Sequence, residues 1–309
     1  MKRFKNILFV ADRQDGLSAS LDRAVAVAQT NGARLTVMDV TPDSGLADYV
    51  RRTYAVDLNA QLREQRLQAL QALVQPYTDA GLPPYTTVAT GTPFIEVVRA
   101  VQRNGYDLVM KVAERDSGRA PAFFGSTDMH LLRKCPCPVW IDRTTGAASY
   151  QRLLAAVDPF DDESGDLQRL ILDLATSLAE REGAALEVVH AWELPGESML
   201  ASGRGRIARN ELERLLEDTE IRHRQALEQL LLPYGLSTGN DNVRLLKGRP
   251  AQIIASCAAQ RAVDLIVMGT LGRVGIPGLF IGNTAEDVLR ETHTAVLAVK
   301  PSGFVSPVQ

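Results

Sequence analysis

Short runs of consecutive apolar residues alternate along the chain with longer segments in which apolar residues recur every three or four positions. Runs such as 7–10 and 265–268 are typical of strands buried on both faces of a parallel sheet. The segment 21–28 has its apolar residues on one face, which predicts an amphipathic helix that ends at Gly32. Strands alternating with helices of this length favour right-handed crossovers, so the pattern predicts an α/β fold.

The predicted strands fall into two sets of five. In the first half of the chain they span 7–10, 35–40, 85–89, 108–111 and 139–141. In the second half they span 153–157, 186–190, 243–246, 265–268 and 296–299. A longer irregular section containing one helix separates the second and third strands of the first set. A long helix over 211–232 occupies the same place in the second set.

The second half of the chain repeats the first. Six pairs share one offset of 157 residues: Gly91 and Gly248, Pro93 and Pro250, Asp107 and Asp264, Gly125 and Gly282, Thr127 and Thr284, and Val139 and Val296. Asp12 pairs with Asp158, and Gly32 with Gly183, at smaller offsets, so the second copy carries extra residues between its second and third strands. We therefore predict two tandem domains, 1–143 and 151–302, joined by a linker over 143–151.

The segment 193–210 has the composition of an insertion in the second copy. It contains Arg204, Arg206 and Arg209 among glycine and small residues. One interpretation is a solvated, mobile connection, because loops of this composition are usually that. The other is a cationic flap over a bound phosphate.

A candidate anion site follows the predicted strand 265–268. Gly269, Gly272 and Gly282 come at spacings of three and ten, and a helix begins after Asn283 and Thr284. A loop whose amides point at an anion needs backbone angles and close approaches that a Cβ would block. A helix start with free amides is itself a ready anion site. The stretch therefore predicts phosphate binding, although the glycines are also compatible with simple turns.

This arrangement resembles the nucleotide-binding signature of the universal stress protein family, which reads Gly, two residues, Gly, nine residues, Gly, then Ser or Thr. Here Asn283 stands at the hydroxyl position, and Thr284 supplies a hydroxyl one residue later. The resemblance implies two five-stranded parallel-sheet α/β domains of the adenine nucleotide alpha-hydrolase-like type, each with strand order 3-2-1-4-5. It also implies ATP or another adenine nucleotide as the ligand, with Mg²⁺ as its counter-ion.

The resemblance also assigns roles to residues of the second domain. Asp158 would contact the adenosine, and the backbone near His190 and Ala191 would read adenine. Met268 would face the same cleft, beyond the carboxyl ends of the strands where the strand order reverses. The ribose and phosphates would be held by Gly269, Gly272, Gly282, Asn283 and Thr284. Asp158 is also compatible with a strand-end cap that has no ligand.

The first domain lacks two of the three glycines of the second. Val112 and Arg115 stand where the second domain has its two loop glycines, so we predict that the first domain does not bind ATP in this manner. Lys111 replaces Met268 at the end of a buried strand, where a charge needs a partner or water. We predict that Lys111 forms an ion pair with Asp12.

Composition and charge argue against nucleic-acid binding, a membrane span and a metal site. A net charge of −3 and a pI of about 5.9 give no basic surface for nucleic acid, which we do not expect as a direct partner. No apolar run is long enough to span a membrane, and the three cysteines fit a reducing, cytoplasmic location. Cys135 and Cys137 lack both redox and zinc spacing, which predicts structural thiols. The four histidines have no partner at metal-ligand spacing, so no metal site is expected.

The sequence favours a binding protein over an enzyme. No GxGxxG follows either first strand, and no Ser or Cys lies in a nucleophile elbow. Neither the Ser-Gly-Gly loop of pyrophosphatases nor a His-x-Gly-His motif occurs, although slow hydrolysis of bound ATP remains compatible. The resemblance implies a cytoplasmic stress-response protein whose two domains pair through their last strands, and it leaves a homodimer open. The alternative is a scaffold that binds another small or amphipathic ligand or a protein partner.

Overall fold

The apolar runs form strands that are buried between helices. Four of the five residues of β1 (Asn6–Val10) and all five residues of β10 (Ala295–Val299) are buried. Burial on both faces requires helices on both sides of the sheet. The structure is a computed structural model, and it describes residues 4–12, 17–43, 45–114, 125–143, 149–160, 165–202, 205–270 and 282–309.

The described residues form ten strands and ten α-helices. The remaining strands are β2 (Arg34–Thr41), β3 (Tyr85–Thr90), β4 (Leu108–Val112), β5 (Val139–Asp142), β6 (Arg152–Ala156), β7 (Ala185–Trp192), β8 (Val243–Lys247) and β9 (Leu265–Gly269). The helices are α1 (Leu17–Asn31), α2 (Ala47–Tyr54), α3 (Leu58–Asp79), α4 (Pro93–Asn104), α5 (Ser126–Lys134), α6 (Asp166–Glu182), α7 (Glu197–Ser202), α8 (Arg209–Leu231), α9 (Pro250–Gln260) and α10 (Asn283–Glu291). Every predicted strand is present, within two residues of its predicted ends.

All ten strands belong to one sheet. Their order is β3-β2-β1-β4-β5-β10-β9-β6-β7-β8, so each half has the order 3-2-1-4-5 that the resemblance implies. The strands of each half are parallel, whereas β5 and β10 pair antiparallel, with Trp140 opposite Leu297. The predicted pairing of the two domains through their last strands is thus confirmed. It satisfies backbone groups that would otherwise form an open sheet edge.

Two layers of helices cover the sheet. Leu21 of α1 and Leu172 of α6 belong to a core on one face, which also includes residues of α3 and α8. Val98 of α4 and Val288 of α10 belong to a core on the other face, which also includes residues of α5 and α9. Each core continues through both domains, so the domains share their packing as well as their sheet. No described helix is long and apolar enough to cross a membrane.

The end of the predicted linker is part of the domain junction. Tyr150 is fully buried, and its hydroxyl donates to Asp142 Oδ1 (3.0 Å) and accepts from Trp140 Nε1 (3.1 Å). Arg23 of α1 lies over the Tyr150 ring at 3.8 Å and pairs with Asp142 (3.3 Å) and with Glu182 of α6 (3.9 Å). A buried polar network whose members satisfy one another rigidifies a core. This network therefore fixes α1 of the first domain against α6 of the second.

The extra residues of the second copy lie between its second and third strands, as predicted, but outside the segment 193–210. The segment 193–210 contains α7, and it corresponds to the segment with α2 in the first domain. The difference lies after α8, where eleven residues (232–242) precede β8, whereas five (80–84) precede β3. A 3-10 turn over Leu232–Tyr234 begins the longer connection. The interpretation of 193–210 as an insertion was therefore wrong.

Candidate functional site

The candidate site lies in the second domain, at the point where the chain leaves two neighbouring parallel strands toward opposite edges of the sheet. β6 and β9 are adjacent, with Ala156 opposite Met268, but the chain goes from β6 outward to β7 and from β9 to β10. In open parallel sheets, ligands bind beyond the carboxyl ends of the strands at such a point. Asp158 follows β6 and Gly269 ends β9, so both residues lie at this edge of the sheet. Met268 is buried beneath it.

The start of α10 lies against the end of β9. The Gly282 N–H donates to the carbonyl of Thr270 at 2.8 Å. Gly282 is the N-cap residue, and among the described residues no side chain caps the helix. Asn283 and Thr284 are its first two residues and are exposed. The first amides of a helix have no partner within the helix, so this start can accept an anion. Gly272 lies outside the described residues.

Asp158 organises the turn after β6. Its carboxylate accepts from the Phe160 N–H at 3.1 Å, and its own N–H donates to Gln168 Oε1 at 2.9 Å. These bonds make Asp158 a cap of its own loop, which is the alternative role that the sequence left open. The side chain remains half-buried at the edge of the cleft, so the cap and a ligand contact are compatible.

A pair of histidines lies on the β7 side of the site. His190 is almost fully buried, and its Nδ1 lies 3.0 Å from the Val157 carbonyl. Because a carbonyl only accepts, His190 Nδ1 carries the hydrogen and donates it. In neutral His190 the Nε2 atom then accepts from His223 Nδ1, 2.8 Å away. Ala191, the next residue of β7, is half-buried.

Aromatic rings extend this pair. His223 of α8 stacks on Trp192 with centroids 5.7 Å apart, and Phe160 meets the His223 ring edge-on at 4.7 Å. Trp192 is buried, whereas Phe160 is 38% exposed. Trp192 ends β7 and Phe160 follows β6, so these rings lie near the carboxyl ends of the two strands, on the side to which the resemblance assigns adenine. His190 and Trp192 are almost fully buried within this cluster, and Phe160 is its more exposed ring.

The first domain places an ion cluster at the equivalent position. Lys111 has no exposed side-chain surface and pairs with Asp12 at 3.1 Å, as predicted, and with Asp128 of α5 at 2.6 Å. Burial lowers the pKa of the Lys111 ammonium, but the charges of Asp128 and Asp12 more than offset this effect. The pKa of Lys111 is raised, so the side chain stays charged between its two partners.

Two carboxylates occupy the start of α5. The Asp128 carboxylate accepts from the N–H groups of Glu114 (2.8 Å) and Gly125 (3.3 Å), and the Glu114 carboxylate accepts from the Thr127 N–H (3.2 Å). Glu114 lies so close to Gly125 that a Cβ there would overlap its carboxylate. The protein's own acids thus take the place in the first domain that a phosphate would take in the second.

The two domains also differ at the end of their second strands. Asp39 lies near the end of β2, at the position that His190 has in β7, and its carboxylate is 3.3 Å from Arg66 of α3. Burial raises the pKa of Asp39, although Arg66 and the Val40 N–H act in the opposite direction. Charged side chains therefore lie on both sides of the first cleft, whereas the second combines aromatic rings with a helix start that no described side chain caps.

The sequence analysis missed Glu114 and Asp128, although the repeat could have revealed them. At the offset of 157 they align with Leu271 and Ala285, so each introduces an acid near the aligned lysine. His223 carries no such signal, because it meets His190 only through the packing of α8 on the sheet. Within the described ranges, no group of three or more His, Cys, Asp or Glu residues could hold a metal ion.

Known proteins match both halves of the chain. The sequence model of the Universal stress protein family matches residues 3–143 and 149–300. Universal stress protein E of Escherichia coli strain K12 is 28% identical over 322 aligned residues, covering 100% of this chain and 98% of the relative. The universal stress protein E homolog of Haemophilus influenzae is 25% identical, with 97% of this chain and 98% of the relative covered.

Solved structures show the same fold. A universal stress protein from Archaeoglobus fulgidus superposes with a TM-score of 0.65 at 17% identity, covering 96% of this chain and 98% of that one. A functionally unknown protein from Pseudomonas aeruginosa PAO1 superposes with a TM-score of 0.75 at 24% identity, with 98% and 95% covered. Together with the two matches to the family model, the shared fold shows that the chain belongs to the universal stress protein family and carries two of its domains in tandem.

Proposed function

We propose that the second domain binds ATP or another adenine nucleotide, and that the protein acts in the stress response by binding. Membership of the universal stress protein family supports the role in the stress response. The nucleotide is proposed from the geometry of the second cleft. We assign no catalytic residue, and slow hydrolysis of bound ATP is compatible with this proposal.

The difference between the two helix starts carries the proposal. In the first domain the start of α5 is occupied by the carboxylates of Glu114 and Asp128. In the second domain Gly282 begins α10 without a side-chain cap from any described residue. A helix start without a cap, beside the end of a buried strand, attracts a negative charge through its amides and the helix dipole. Phosphate oxygens would supply that charge.

The residues of the second cleft would contact the phosphates and the base of a nucleotide in different ways. On the phosphate side, the first amides of α10 and the hydroxyl of Thr284 would hold the phosphates, and Mg²⁺ would accompany them as a counter-ion. On the base side, the half-exposed Phe160 ring and the His223 ring offer a stacking surface, because flat π-systems pack well on aromatic side chains. Asp158 lies between the two sides, where the ribose would come.

Exchange of one aligned residue tests the proposal. Gly269→Val gives the second domain the residue of the first, Val112, at the end of β9. A Cβ at Gly269 lies 3.2 Å from the flexible end of Leu167, so the fold can accommodate the change. Titration calorimetry with Mg-ATP should show binding by the wild type and a loss of about tenfold or more in Gly269→Val, which corresponds to about 1.4 kcal/mol.

Val112→Gly is the matched control in the first domain. It should leave the affinity for ATP unchanged, because that cleft is occupied by its own ion cluster. The proposal is wrong if the wild type does not bind ATP, or if Val112→Gly weakens binding as much as Gly269→Val.

The aromatic cluster favours a second candidate function. If the rings of His190, His223 and Trp192 already fill the adenine position, the cleft suits a different small or amphipathic ligand, or a protein partner, and the protein is a scaffold. Mass spectrometry of small molecules released from the purified, heat-denatured protein separates the two candidates. Adenylate supports the first, and an unrelated ligand supports the second.

A further inference from the structure

Two thiols of the first domain are in contact. Cys135 and Cys137 lie in the turn between α5 and β5, with their Sγ atoms 3.6 Å apart. Both are buried: Cys135 has no exposed surface, and Cys137 keeps 8% of its surface exposed. A disulfide requires an S–S distance of about 2.05 Å, so the sulfurs need to move together by less than about 2 Å. The Cys-Pro-Cys turn thus provides a contact that the sequence spacing did not suggest.

A cation from the second domain lies beside this turn. Lys300, directly after β10, donates to the Leu132 carbonyl at 2.6 Å and to Thr270 Oγ1 at 3.1 Å. Burial lowers the pKa of Lys300 to about 8. Burial also raises the pKa of the Cys135 thiol, but hydrogen bonds with Cys137 and the positive charge of Lys300 outweigh it, so that pKa lies below its usual value. A thiol stabilised as thiolate is the better nucleophile.

We propose that Cys135 and Cys137 form a peroxide-sensitive dithiol that closes to an intramolecular disulfide, with Cys135 as the attacking thiol. The Cys135 thiolate attacks one oxygen of a hydroperoxide and breaks the O–O bond. Cys135 becomes a sulfenic acid, and the released oxygen leaves as water or an alcohol with the thiol proton. Cys137 then attacks the Cys135 sulfur, and the S–O bond breaks. The hydroxyl leaves as water with the proton of Cys137, so the dithiol loses two electrons and the peroxide gains them.

Peptide mapping of the whole protein tests the disulfide directly. Trypsin releases residues 135–143 as one peptide that contains both cysteines. After hydrogen peroxide treatment under native conditions, and alkylation in denaturant, this peptide should be about 2 Da lighter than the reduced peptide and carry no alkyl group. Cys257 of α9, also buried, is the matched control, so Cys257→Ala should behave as the wild type. A peptide that stays reduced, or one linked to Cys257, overturns the proposal.

Single variants test the order of attack and the part of Lys300. Cys137→Ser should accumulate a sulfenic acid on Cys135 that dimedone traps, and Cys135→Ser should not. Lys300→Met, checked for its fold by circular dichroism, should slow disulfide formation by about threefold or more, because fewer Cys135 thiols are ionised. Equal trapping in both cysteine variants, or an unchanged rate in folded Lys300→Met, refutes the assigned roles. The mapping of the wild type remains decisive if a variant does not fold.

Discussion

The two domains carry the same helix start at the same strand end, but among the residues that the structure describes only the first domain fills it with its own charges. Lys111, Glu114 and Asp128 form this cluster, and the aligned residues of the second domain are Met268, Leu271 and Ala285. Three apolar residues in one domain thus correspond to one cation and two acids in the other. The backbone of the fold is kept, while in the first domain the helix start is occupied by carboxylates of the chain itself.

The comparison indicates that the charged residues of this cluster stabilise the fold only when they are present together. A buried lysine without acids, or a buried acid without the lysine, is an uncompensated charge whose cost is several kcal/mol. Lys111 is satisfied by Asp12 and Asp128, and Asp128 in turn accepts two backbone N–H groups. Each member of the cluster therefore stabilises the others, and none has an apolar equivalent that could be exchanged alone.

The largest expected effect follows from breaking this set. Asp128→Ala leaves the fully buried Lys111 with Asp12 as its remaining carboxylate and removes the acceptor of the Gly125 N–H, so the free energy of unfolding should fall by about 3 to 5 kcal/mol. Urea denaturation followed by circular dichroism measures it. The triple variant Lys111→Met/Glu114→Leu/Asp128→Ala, which copies the second domain, should recover most of the loss. A single variant within about 1 kcal/mol of the wild type contradicts this account of the cluster.

Introducing the charged residues of the first domain into the second should block the proposed phosphate position. Met268→Lys/Ala285→Asp places the ammonium and the carboxylate of the first domain at the start of α10. The new carboxylate repels phosphate and competes for the same amides, so ATP affinity should fall by about tenfold or more in titration calorimetry. Lys111→Met/Asp128→Ala is the reciprocal control and should leave ATP affinity unchanged. A folded transfer variant that binds ATP as the wild type does would refute the proposed phosphate position.

The sequence predicts those parts of this comparison that depend on strand neighbours. The pair Lys111 and Asp12 could be predicted, because both follow strands that are adjacent in the implied order. Asp128 comes from a helix, and its approach to Lys111 depends on how α5 packs on the sheet. His223 and the Cys135–Cys137 contact depend in the same way on tertiary packing and on the shape of a turn, which residue spacing alone does not determine.

The difference in length between the domains is a second feature that the sequence predicts only in part. Alignment of the repeats determines how many residues the second domain gains between its second and third strands, but not where they lie. The glycine and arginine composition of 193–210 suggested the insertion there. The structure instead matches α7 to α2 and extends the connection after α8, because the long helix occupies the same place on the sheet in both domains.

The smallest expected effect concerns Asp39, which holds in the first domain the place of His190. Burial raises its pKa above the usual value of an aspartate, so the folded state binds a proton more readily than the unfolded state. The wild type should therefore gain stability relative to Asp39→Asn as the pH falls from 7 to below 4. Urea midpoints at several pH values measure this difference. Arg66→Met removes the attractive charge, raises the pKa of Asp39 further and should enlarge the gain, whereas a relative loss on acidification would contradict the buried-carboxyl account.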